Sequence, residues 1–144
     1  MRKVLLISYY ELKEALLLSA KALESVGFTV DNYPLFQYAH DQHDKRDDYV
    51  DHFNAKIEEF DPEIILWWCH TMNLDDFRFI CEENADRCHM LYNWDDPHCW
   101  SVPEVHMQEK ARYFDIVVTS CSSSVDDYLA HGTRRAVFST PGFS

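Results

Sequence analysis

The stretch Tyr92–Trp100 (YNWDDPHCW) sets two adjacent carboxylates, Asp95 and Asp96, between Trp94 and Pro97. Such a pair can act as a general base, bind a sugar hydroxyl or hold a divalent cation. A plainer reading stands beside these: one carboxylate caps a turn before Pro97 and touches no ligand. His70, within Trp68-Cys69-His70-Thr71, is a second candidate base, or equally a half-buried ring with a backbone partner. The run Ser122-Ser123-Ser124 precedes a helical pattern, where backbone N–H groups favour an anion and hydroxyls add donors. Capping alone would account for one of these serines. His98 and Cys99, with His70 and Cys69, are zinc-ligand types, but spaced pairs such as CxxC are absent, so no metal is assigned. A nucleophilic triad is disfavoured too, since no serine sits in G-x-S-x-G and no cysteine has a local histidine pattern.

Strands and helices must position these groups. Lys3–Ser8 (KVLLIS) is a continuous apolar run, as in a strand covered on both faces. Leu12–Val26 carries Leu12, Ala15, Leu16, Ala20 and Leu23 at helix spacing, and Gly27 is a natural stop. Phe28–Tyr33 is a second strand, which makes the opening a βαβ unit. Asp47–Phe60 has Tyr49, Phe53, Ile57 and Phe60 on one helix face and acids on the other, and Asp61-Pro62 breaks it. Glu63–Trp68 is a third strand. Leu74–Glu83 is a helix with Asn73 as N-cap and Asp76 three residues on. Cys88–Tyr92 is a fourth strand, and Pro103–Phe114 reads as one helix with Pro103 in its first turn. Ile116–Thr119, the helix Ser122–Ala130 ended by Gly132, and Ala136–Ser139 complete the pattern. Six strands alternating with helices predict a single doubly wound α/β domain over residues 1–144, with a mostly parallel six-stranded sheet and helices on both faces.

Ligands in such folds lie beyond the carboxyl ends of the strands, near the point where strand order reverses. The residues that follow the strands are then the candidates. Tyr9, Tyr10 and Glu11 follow the first, Cys69, His70, Thr71 and Asn73 the third, Asn93, Trp94, Asp95, Asp96 and His98 the fourth, and Ser120–Ser124 the fifth. The first turn, SYYELK, has no glycine, which excludes ordinary dinucleotide binding, and GK[ST] is absent, which excludes a P-loop. Tyr9, Tyr10, Trp94 and Trp100 could stack on a flavin mononucleotide, but that turn also lacks small, hydroxyl-rich residues for its phosphate. No cofactor is expected.

The 13 basic and 25 acidic residues give a net charge of -12. Residues 1–40 balance four acids with four bases, whereas residues 41–100 hold sixteen acids against five bases. Without a segregated basic stripe, such a surface repels phosphate backbones and anionic membranes, so nucleic acid is excluded as a partner. No apolar run approaches the roughly 18 residues of a membrane helix. Cys69, Cys81, Cys88, Cys99 and Cys121 are odd in number, and Met1–Ser8 runs directly into the first strand where a secretory signal would stand. Reduced thiols in a cytoplasmic protein are expected.

From Tyr92 onward the chain resembles the amino-terminal domain of GT-B glycosyltransferases, above all those related to the spore-maturation protein CgeB. The residues that carry the likeness are Tyr92–Pro97, Phe114–Thr119, Tyr128, Gly132 and Pro141. The resemblance implies a Rossmann-like half of a GT-B fold, on the acceptor side of a two-domain enzyme that transfers a sugar from a nucleotide sugar without a DxD-bound metal. It implies Asp95 or Asp96 as base or acceptor ligand, with Tyr10 and His70 lining the cleft. Ser122–Ser124 would reach acceptor or donor phosphate. The partners so implied are a sugar or glycoconjugate acceptor and a carboxyl-terminal donor domain, which this chain is expected to lack. The alternative is a non-catalytic small-molecule or protein-binding module on the same fold.

Overall fold

The apolar run after Arg2 becomes a strand buried on both faces: Val4, Leu5, Leu6 and Ile7 are all buried in β1 (Arg2–Ser8). The computed structural model describes residues 2–9, 14–35, 46–68, 72–93 and 103–140, with the side chains at 14–16, 46–49 and 104 excepted. After β1 come α1 (Glu14–Ser25), β2 (Phe28–Pro34), α2 (Arg46–Phe60), β3 (Ile64–Trp67), α3 (Leu74–Glu83) and β4 (Cys88–Asn93). Then follow α4 (Met107–Lys110), β5 (Ile116–Thr119), α5 (Val125–Ala130) and β6 (Arg135–Phe138). The six strands form one all-parallel sheet in the order β2-β1-β3-β4-β5-β6, a Rossmann-like doubly wound α/β fold. Strand order reverses between β1 and β3. Among the described residues, no helix is long and apolar enough to cross a membrane.

Two compact units divide the chain, Met1–Trp68 and Cys69–Ser144. In the first, β1 runs parallel to β2 (Val4 opposite Val30) and to β3 (Val4 opposite Ile64). Phe53 and Ile57, four apart on α2, both enter the core. The Phe53 ring stacks on Trp67 at 5.6 Å and meets Tyr33 edge-on at 4.5 Å. The Lys3 ammonium donates to the Phe60 carbonyl at the end of α2, and Asp61 at φ 54 turns the chain out before Pro62.

In the second unit β4, β5 and β6 pair in parallel, with Leu91 opposite Val117 and Val117 opposite Ala136. Phe77, Ile80, Leu91, Val117, Phe114 and Tyr128 fill its core. The Asn73 cap of α3 forms as expected: its Oδ1 accepts from the N–H groups of Asp75 (2.9 Å) and Asp76 (3.4 Å). Two expectations are corrected. Pro103–Phe114 is not one helix but a 3-10 turn (Pro103–Val105), α4, and a second 3-10 turn (Ala111–Tyr113), because His106 takes a left-handed φ of 53 and breaks the run. Ser122–Ala130 is likewise divided into a 3-10 turn (Ser122–Ser124) and α5. The serines do not cap: Ser124, at the N-cap of α5, already has helical φ and ψ and makes no side-chain cap bond, since a capping side chain needs an extended backbone there.

Candidate functional site at the carboxyl ends of the strands

β4 and β5 each end in a buried polar residue, Asn93 and Thr119, and the register sets them side by side. Burying an amide or a hydroxyl is tolerable only with partners. Asn93 Nδ2 donates to the Tyr128 hydroxyl at 3.0 Å, and its carbonyl accepts from Ser120 N–H at 3.1 Å. Thr119 Oγ1 accepts from Cys121 N–H at 3.1 Å. Tyr128 is itself fully buried on α5, so a helix-borne phenol pins the end of β4. These bonds fix where the chain departs after Asn93 toward Trp94–Asp96 and after Thr119 toward the serine run.

That serine run surrounds a thiol. Cys121 Sγ lies 3.0 Å from Ser123 Oγ, and hydrogen bonding from Ser123 and then Ser124 lowers the Cys121 pKa below the ordinary thiol value. Ser122 and Ser123 are exposed and Ser124 is buried. The arrangement can stabilise a thiolate at the carboxyl edge of β5.

A third polar anchor stands at the root of α3. Lys110 is buried to 1 % exposure; its ammonium donates to the Met72 carbonyl at 2.6 Å and lies 5.5 Å from the Phe77 ring centre. It ties α4 to the residue before the Asn73 cap. Asn73 is exposed, with Oδ1 committed to capping and only its amide N–H groups left to meet a ligand.

In the first unit Ser8 closes β1, fully buried, and its Oγ accepts from Asn32 Nδ2 at 2.8 Å; Tyr9 follows, half-buried. Tyr10, His70, Trp94, Asp95, Asp96 and His98 lie outside the described residues. Of the expected site residues, the structure therefore brings Ser122, Ser123 and Ser124 together in one turn, and sets Asn73 at the start of α3 and Tyr9 at the end of β1. Among the described residues no group of three or more His, Cys, Asp or Glu side chains could hold a metal.

Asn93 and Cys121 stand among the residues that the sequence places beyond the strand ends, whereas Lys110 was missed. Lys110 gave no signal, because a basic residue late in a short helix reads as solvated.

A second buried pair lies at the other end of β4. His89 Nε2 is 2.9 Å from the Asn84 carbonyl and therefore carries the proton, which leaves Nδ1 to accept from the Cys81 thiol at 3.8 Å. Burial pushes the Cys81 pKa up and the His89 pKa down, so both stay neutral and the pair is structural.

No family model, curated protein or solved structure matches this chain.

Proposed function

We propose that the chain is the acceptor-side domain of a glycosyltransferase, completed by a donor-binding domain that supplies a nucleotide sugar. The observation that carries this reading is the paired ends of β4 and β5. Asn93, held by the Tyr128 hydroxyl, and Thr119, bonded to Cys121 N–H, end neighbouring strands, and the Trp94-Asp95-Asp96 sequence and the Cys121–Ser124 turn follow them. A segment with two carboxylates and a hydroxyl-lined turn thus follow neighbouring strand ends in sequence, at the edge where folds of this kind bind ligands. Several residues that carry the family resemblance have structural work in the second unit. Tyr128 pins Asn93, Phe114 is buried, and Gly132 turns the chain into β6. On this reading Asp95 or Asp96 removes the acceptor hydroxyl proton and the serines meet phosphate. No metal takes part. Transfer needs both reacting groups held together, so the donor domain is essential to the reaction.

Titration calorimetry with a panel of simple sugars and nucleotide sugars tests the reading. The expected result is sugar binding at about millimolar strength, weakened by Asp95→Asn or Asp96→Asn. No binding by the folded chain overturns it. The second reading, a non-catalytic binding module, is favoured by one observation: Val137 and Phe138, adjacent on β6, are 40 % and 51 % exposed. Adjacent strand residues face opposite sides of a sheet, so β6 leaves apolar surface on both. A protein partner whose binding is abolished by Phe138→Ser and untouched by Asp95→Asn would support that alternative.

A further inference from the structure

Beside β2, an edge strand, the first unit carries a groove of about 280 Å³ lined by Asn32, Tyr33, His52, Ala55, Lys56 and Glu59. Helix spacing makes it. His52, Ala55, Lys56 and Glu59 recur at three- and four-residue intervals on α2 and form a stripe beside the Phe53 and Ile57 stripe that enters the core. Ala55, the smallest side chain of the stripe, leaves the space open.

The polar groups of the groove are partly satisfied among themselves. The Tyr33 hydroxyl lies 2.9 Å from His52 Nδ1, while its ring is buried against Phe53. The Lys56 ammonium pairs with the Asp31 carboxylate. Asn32 Nδ2 uses both protons, on the Leu6 carbonyl at 2.9 Å and on Ser8 Oγ at 2.8 Å. What remains is of one kind. Among the described residues nothing donates to Asn32 Oδ1, and the Glu59 carboxylate has no ion-pair or hydrogen-bond partner. Both are acceptors, one of them charged, so the groove is short of donors and of positive charge.

A divalent cation does not meet that need, since no described cluster of side chains could hold a metal. An organic ammonium does, with three donors and one positive charge. The net charge of -12 on the chain raises the local concentration of such cations. We propose that this groove binds the primary ammonium of a small organic molecule, its N–H groups donating to the Glu59 carboxylate and Asn32 Oδ1. Hydroxyls on the same molecule then meet Lys56 and the Tyr33–His52 pair. This inference is independent of the glycosyltransferase reading.

Glucosamine and glucose are the matched probes, because they differ only in an ammonium and a hydroxyl. Titration calorimetry of the whole chain near pH 6, where glucosamine is cationic, is expected to give saturable glucosamine binding. Glucose binds about tenfold more weakly or worse, as loss of a charge-assisted contact demands. Glu59→Gln removes the charge at an exposed helix position without disturbing the core, and is expected to lower glucosamine affinity about tenfold. Asp95→Asn leaves that affinity unchanged. Equal affinity for the two sugars, no glucosamine binding, or an unchanged affinity in Glu59→Gln overturns the proposal. Binding lost in Asp95→Asn but kept in Glu59→Gln also overturns it, and moves the ammonium to the other site.

Discussion

Gly27 and Gly132 end two helices with nearly the same backbone, φ 99 and φ 103, yet they stand in different surroundings. At Gly27 an added Cβ would meet nothing within 4 Å. At Gly132 it would lie 2.9 Å from Arg112 Cβ and 3.2 Å from Arg112 Cα, atoms that cannot swing aside like a flexible chain end. Both glycines close a helix end through their N–H groups, Gly132 to the Leu129 carbonyl at 3.2 Å and Gly27 to the Glu24 carbonyl at 3.0 Å; at Gly132 the next N–H, that of Thr133, also reaches the Tyr128 carbonyl at 3.1 Å. Alanine at either site costs roughly 1–2 kcal/mol of left-handed strain, offset by about 0.4–1 kcal/mol from a stiffer unfolded chain. Only Gly132→Ala adds an overpacking cost, about 1–3 kcal/mol. The expected losses are about 1 kcal/mol for Gly27→Ala and about 2–4 kcal/mol for Gly132→Ala. In a thermal melt the second becomes a fall of roughly 10 °C for a chain of this size. Urea unfolding of both variants in parallel gives the comparison, since the shared strain cancels. A Gly132→Ala loss no larger than that of Gly27→Ala would refute the packing argument, and with it the close approach of the α5 end to the Arg112 turn.

Two further outcomes follow from the titrating groups. His89 is buried neutral, so its folded pKa lies below the ordinary value of 6.5 and the unfolded chain binds the extra proton. Its contribution is fully present above about pH 6.5 and is lost as pH falls, at up to about 1.4 kcal/mol per pH unit. A stability difference between the wild type and His89→Leu that stays constant from about pH 7.5 to about pH 5.5 would contradict this. Among the cysteines, the half-exposed and acidified Cys121 is expected to alkylate with iodoacetamide well before the buried Cys81, with Ser123→Ala slowing it at neutral pH. Peptide mapping that finds Cys81 labelled as fast as Cys121 in the folded chain contradicts that assignment.

The sheet was legible because its strands carry unambiguous patterns. Val4–Ile7 has to be covered on both faces, and Phe53 and Ile57 have to share one face of a helix. The Asn73 cap was legible for a local reason too, since a side chain two and three residues from its N–H partners needs no tertiary contact. The break at His106 was not. Val105, Met107, Ala111 and Phe114 keep a helix-like apolar spacing through a 3-10 turn, a four-residue helix and a second 3-10 turn. Periodicity is blind to a single left-handed residue between them. Lys110 was misleading in the opposite way, as its burial depends on Met72, 38 positions earlier. The groove beside β2 was equally hidden, because Asn32 is held by Leu6 and Ser8 across a strand register that no local pattern encodes.

Chemistry is nonetheless distributed along the strands in a readable way. Of the strands with buried ends, β1, β4 and β5 close on Ser8, Asn93 and Thr119, each buried and each bonded to a residue of a neighbouring strand, helix or turn. An apolar residue at any of these points would be cheaper to bury, since the hydrogen bonds made there recover little more than the desolvation they offset. Stability alone therefore does not favour polar strand ends. They hold the last residue of each strand in one place, so these ends are ordered before any ligand arrives. That is the condition a binding edge has to meet, because groups ordered in advance need not be ordered on binding. Polar strand ends are what the fold contributes to the proposed site.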